Sequence, residues 1–171
     1  MDALHRRVLG PDAPGQVVVV PSGLSAPVAL PGHVIVLPLS VIEATDDPRI
    51  VAGHILAAAL SGAETDPMER TLAHAGLRPT FTLLTTGNLP QDILSNYAQH
   101  ILAAPAKLAP ADVLGPGFAE AELAISPWAH ALDPSGTTID DLLDVEWNTS
   151  GQTRPIITDE EWVSLLGICQ Q

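Results

Sequence analysis

The stretch from Pro48 to Ser61 limits what this chain can fold into more than any other. Ile50, Val51, Ala52, Ile55, Leu56, Ala57, Ala58, Ala59 and Leu60 leave it no polar face, and His54 is the one polar side chain between Arg49 and Ser61. A helix that is apolar nearly all round belongs in the middle of a domain, enclosed by other elements. Asp46-Asp47-Pro48 supplies its start: acidic caps precede a proline at the first turn, where a missing N–H is harmless. The expectation is a domain wrapped around a central buried helix.

The wrapping elements follow from shorter signals. Gln16 to Val20 is a β-branched run between Pro-Gly and Pro-Ser-Gly, which reads as a buried strand. Val28 to Leu30 is a short extended piece ended by Pro31-Gly32, and Val34 to Leu37 returns as another strand, so a hairpin or tight β-bend is expected there. Pro38 and Ser40 open a short helix through Ala44. Helices are further expected over 68–75, after Asp66-Pro67, and over 90–103, where Ile93, Leu94, Tyr97, Ile101 and Leu102 form an apolar stripe. The segment 79–86 is ambiguous between strand and helix. A weaker helix over 111–121 is interrupted by Gly115-Pro116-Gly117, 125–132 reads as extended, and 137–146 reads as partly helical. Thr158 and Glu161 form a capping box for a last helix through Ile168. The fold class is therefore α+β: a small antiparallel sheet or hairpin packed on a central buried helix, with additional helices. Residues 1–108 are expected to form the core, and 109–171 a C-terminal extension packing on the same domain.

Composition narrows the function classes. The 171 residues are enough for one domain with a core of its own. Seven basic against twenty acidic residues give a formal charge of −13, which repels phosphate backbones and excludes nucleic acid as a natural partner. Charged residues are 16%, against about 25% in ordinary soluble domains, and aromatics only 4%, so the core is built from Ala, Leu, Val and Ile. Cys169 is the only cysteine, which rules out an intrachain disulfide and a cysteine-based zinc site; at the end of an apolar helix it reads as inert packing. His54 interrupts the longest apolar run, so no direct membrane insertion by these residues is expected. The first residues read as a chain entering partway through a helix, with an upstream anchor or leader removed.

Generic catalytic motifs are missing. There is no phosphate loop, dinucleotide fingerprint or Gly-x-Ser-x-Gly elbow, and Asn148-Thr149-Ser150 indicates only a polar loop. The pairs Asp46/Asp47 and Asp159/Glu160 read as helix N-terminal charges. The six histidines, His5, His33, His54, His74, His100 and His130, contain no pair at the i, i+4 spacing of a two-histidine metal site.

The block from Ala26 to Ser61 resembles the membrane-associated zincin metallopeptidases, the family of the CAAX prenyl proteases and their bacterial stress-protease relatives. In that family a strand, an N-A-F-A-L-P-G-G-type turn, a second strand, a short helix and an acidic linker precede the zinc-binding helix with its H-E-x-x-H. Here Ala29-Leu30-Pro31-Gly32 matches the turn, with His33 where the second glycine usually stands. Val34 to Leu37 takes the place of the following strand, Leu39 to Glu43 that of the short helix, and Asp47-Pro48 with Val51-Ala52-Gly53 that of the linker and helix start. In this ungapped register the H-E-x-x-H positions read Ala57-Ala58-Ala59-Leu60-Ser61. The third ligand, a glutamate on a later helix, has no counterpart: Asp92 is the only acid beside Asn96, Tyr97, Gln99 and His100.

The resemblance thus implies a zincin-like fold and argues against the activity, because without two imidazoles and a carboxylate nothing holds Zn²⁺ or lowers the pKa of its water. No catalytic residue, metal or cofactor is expected. Alanines in place of the ligands avoid unsatisfied polar groups in a buried helix and keep helix propensity high. The expected role is a catalytically inactive binding or scaffolding module for a protein or peptide partner, with His54, Ser61 and His33 as the candidate binding residues. In zincins an edge strand pairs with an extended substrate, which places the expected groove beside Val34 to Leu37. The resemblance also implies a bacterial, membrane-anchored or periplasmic full-length protein. The alternative is a metal-dependent hydrolase whose site is assembled from His54, His74, His100 or His130 with acids such as Asp92.

Overall fold

The computed structural model describes residues 1–64, 91–103, 107–137, 139–148 and 155–167. The helices expected over 68–75, the ambiguous segment 79–86 and Cys169 lie outside the described residues. In chain order the elements are α1 (Asp2–Leu9), β1 (Gln16–Val20), β2 (Val28–Leu30), β3 (Val34–Pro38), α2 (Leu39–Glu43), α3 (Pro48–Glu64), α4 (Gln91–Ala103), α5 (Ala111–Glu120), α6 (Ser126–Leu132), α7 (Asp140–Asn148) and α8 (Asp159–Leu166). The class is α+β.

α3 is the central helix. Val51, Ala52, Gly53, Ile55, Leu56, Ala57, Ala58 and Gly62 are buried on it, so all sides of its middle turns are covered. α1, α5, α6, β2 and β3 all pack against it. Asp47 opens it as the acidic signal implies: its carboxylate accepts the Arg49 backbone N–H at 2.9 Å and a guanidinium contact at 2.7 Å. The Arg49 guanidinium also holds the Asp47 carboxyl below its ordinary pKa. The last helix likewise starts as read: the Thr158 side chain accepts the Glu161 N–H, and the Glu161 carboxylate accepts the Thr158 N–H at 2.9 Å.

The sheet corrects one expectation. Its order is β1-β3-β2, with β2 and β3 antiparallel but β1 parallel to β3, so it is mixed. The Pro31-Gly32 turn does make a hairpin of β2 and β3. That hairpin occupies one side of β3, so the chain leaving β1 crosses to β2 first and β1 is left to flank β3 in parallel. β3 is consequently the central strand. Both its edges are taken, and the groove expected beside Val34 to Leu37 for an added strand does not exist.

Two further expectations are overturned. Residues 125–132 are not extended: Ser126–Leu132 is helical, with Pro127 in its first turn, a start signal that the short length of the segment obscured. Gly115-Pro116-Gly117 does not interrupt α5, which runs through it with Pro116 exposed. The two glycines serve packing instead. A Cβ on Gly115 would overlap the Val145 side chain of α7, and one on Gly117 would come within 2.5 Å of Leu60 on α3.

The N-terminal and C-terminal parts share one core, which runs from Leu4, Val17, Ile35 and Ile55 to Leu114, Trp128, Ile139 and Trp162. Arg7 of α1 fastens them together. Its guanidinium donates to the carbonyls of Pro155 at 2.9 Å and Ala121 at 2.8 Å. Ala121 precedes Glu122, which closes α5 in the left-handed region (φ 54°) while Leu123 N–H returns to the Phe118 carbonyl.

Candidate functional site

The residues singled out from the sequence fall at three places. His33 sits in the β2–β3 turn in the left-handed region (φ 59°), with its side chain exposed and its carbonyl accepting the Gln16 N–H at 3.2 Å. Gly15 permits this approach, since any Cβ there would overlap the His33 carbonyl. Its backbone thus has a structural use, locking the turn against the start of β1. His54 and Ser61 both lie on α3, two turns apart and on nearly the same face.

That face of α3 is not an open cleft. The chain from Ala109 to Trp128 runs along it. At one end the Ser61 hydroxyl donates to the Ala57 carbonyl at 2.6 Å and accepts the Ala109 N–H at 2.9 Å. Next, α5 sets Gly117 against Leu60. At the other end α6 brings Trp128 onto Gly53, where an added Cβ would lie 2.5 Å from the Trp128 Cβ. The indole meets the His54 imidazole edge-on, with ring centroids 6.2 Å apart and planes at 90°, and stacks on Phe118 at 5.2 Å. The positions that the zincin resemblance assigns to metal chemistry are core: Ala57 is 1% and Ala58 8% exposed.

Electrostatics agree with that packing. Burial holds the His54 pKa down to about 4, so the imidazole is neutral at pH 7. Ser61 has its hydroxyl proton and an acceptor lone pair already committed, so it is a tertiary cap and not a free nucleophile or ligand. Ser61→Ala leaves the Ala109 N–H without its partner, and a loss of about 1–2 kcal/mol in unfolding free energy is expected. Denaturant titration measures it, and hydrogen exchange should speed up at the Ala109 amide in particular.

Other chemistry does not converge on these residues. Among the described residues, no three His, Cys, Asp or Glu side chains are placed to hold a metal ion. His100, His130 and Asp92 are exposed, and His74 lies outside the described residues. Among the described residues, the buried nitrogens His5 Nε2 and Trp128 Nε1 have no hydrogen-bond partner. A half-open cavity of about 470 Å³ lies elsewhere, between α1 and α8, lined by Met1, Leu4, Ile157, Glu160, Glu161 and Ser164 among others. Its Glu161 is committed to the Thr158 cap. No described helix is long and apolar enough to cross a membrane.

Sequence reasoning missed Trp128 as the partner of His54. Its signal was Ser126-Pro127 ahead of it, a helix start, together with a glycine on α3 that lacks a turn to explain it. Comparison with known proteins adds no assignment: no protein-family model matches the chain, and no curated protein does.

Proposed function

We propose that this chain is a catalytically inactive, metallopeptidase-like domain that serves as a binding or scaffolding module for a protein or peptide partner. The observation that carries this reading is the packing of α3. Where the resembling family keeps its zinc ligands and general base, this chain has two alanines enclosed in the core and a serine whose hydroxyl is bonded to Ala57 and Ala109. An imidazole at position 57 or a carboxylate at position 58 would have neither the room nor the solvation that a metal-bound water requires. Because the chain after Ala109 fills that flank of α3, any partner has to engage another part of the surface. A sheet edge can bind without chemistry, through main-chain hydrogen bonds alone.

The test is elemental analysis of the purified chain together with thermal denaturation in added Zn²⁺, Mn²⁺ and Ni²⁺. Sub-stoichiometric zinc and an unchanged melting temperature are expected, since a metal that does not bind the native state cannot stabilise it. One zinc per chain would overturn the reading. Metal-induced stabilisation that disappears in His54→Ala would favour a metal-dependent hydrolase instead.

A further inference from the structure

We draw no further inference here: the strongest candidate, the half-open cavity between α1 and α8, carries none, because its acids Glu160 and Glu161 stand at the N-terminus of α8, where Glu161 closes the Thr158 cap, and nothing in the structure shows what covers its apolar lining of Leu4, Ile157 and Leu165.

Discussion

Trp128→Ala should lower the free energy of unfolding by about 3–5 kcal/mol, the range for emptying a fully buried aromatic site. Trp128 is wholly buried and heads the fully buried side chains by volume. It fills the space between Gly53 and His54 of α3 and Phe118 of α5, so its removal opens a cavity against two other helices at once. Against a typical total of about 5–15 kcal/mol this is a large share, and a fall in melting temperature of roughly 6–20 °C follows for a chain of this size. Urea denaturation followed by circular dichroism measures it. Trp128→Phe provides the contrast: it keeps an aromatic ring near Phe118 and removes an indole N–H that has no acceptor among the described residues, so it should cost far less than the alanine. A loss below about 1 kcal/mol for Trp128→Ala would mean that α6 does not seal the His54 end of α3.

The second large effect is a dependence of stability on pH. The folded chain holds His54 at a pKa of about 4, below its ordinary 6.5, because the imidazole is desolvated beside Trp128. Between those values the unfolded chain binds a proton that the folded chain does not. Stability from this group is therefore complete above about pH 6.5, falls as the pH drops through the interval, and levels off below about 4. The whole interval amounts to roughly 3 kcal/mol. Asp47 and Glu161, whose pKa values are lowered by Arg49 and by the Thr158 cap respectively, also lose their contributions on acidification. The informative quantity is accordingly the difference between wild type and His54→Leu. That difference should shift in favour of the leucine variant from pH 6.5 to 4; a pH-independent difference would contradict a buried neutral His54.

Local signals were legible wherever residue type alone decides the backbone. Asp47-Pro48 and Thr158 with Glu161 mark helix starts because a side-chain oxygen captures nearby N–H groups, a matter of adjacent residues. The Pro31-Gly32 hairpin follows from backbone freedom at Gly32, which takes φ 80°. The burial of α3 was readable because a helix without a polar face has no stable alternative. Gly115-Pro116-Gly117 was misread for the complementary reason: glycine looks like a breaker unless the neighbour it admits is known, and here the neighbours are Val145 and Leu60. Ser126-Pro127 was passed over because seven residues show too little periodicity to separate helix from strand.

The candidate site divides in the same way. That positions 57 and 58 hold alanine and position 61 serine is a fact of sequence; that the space around the two alanines is closed is not. Ser61 meets Ala109 across 48 positions of chain, and His54 meets Trp128 from another helix. Such pairings depend on how α5 and α6 dock, and no local pattern encodes a docking direction.

By itself the sequence determined an aliphatic, acidic chain organised around one helix, with its capped starts and its hairpin. Those properties depend on composition, on period, or on residues next to one another. Tertiary structure alone decided that β3 lies between β1 and β2, that β1 pairs with it in parallel, and that the C-terminal segment covers α3 from Ser61 to Gly53. Strand order and helix docking are chosen by the total apolar surface buried and by main-chain hydrogen bonds between distant segments, and these sums exist only once the chain is assembled.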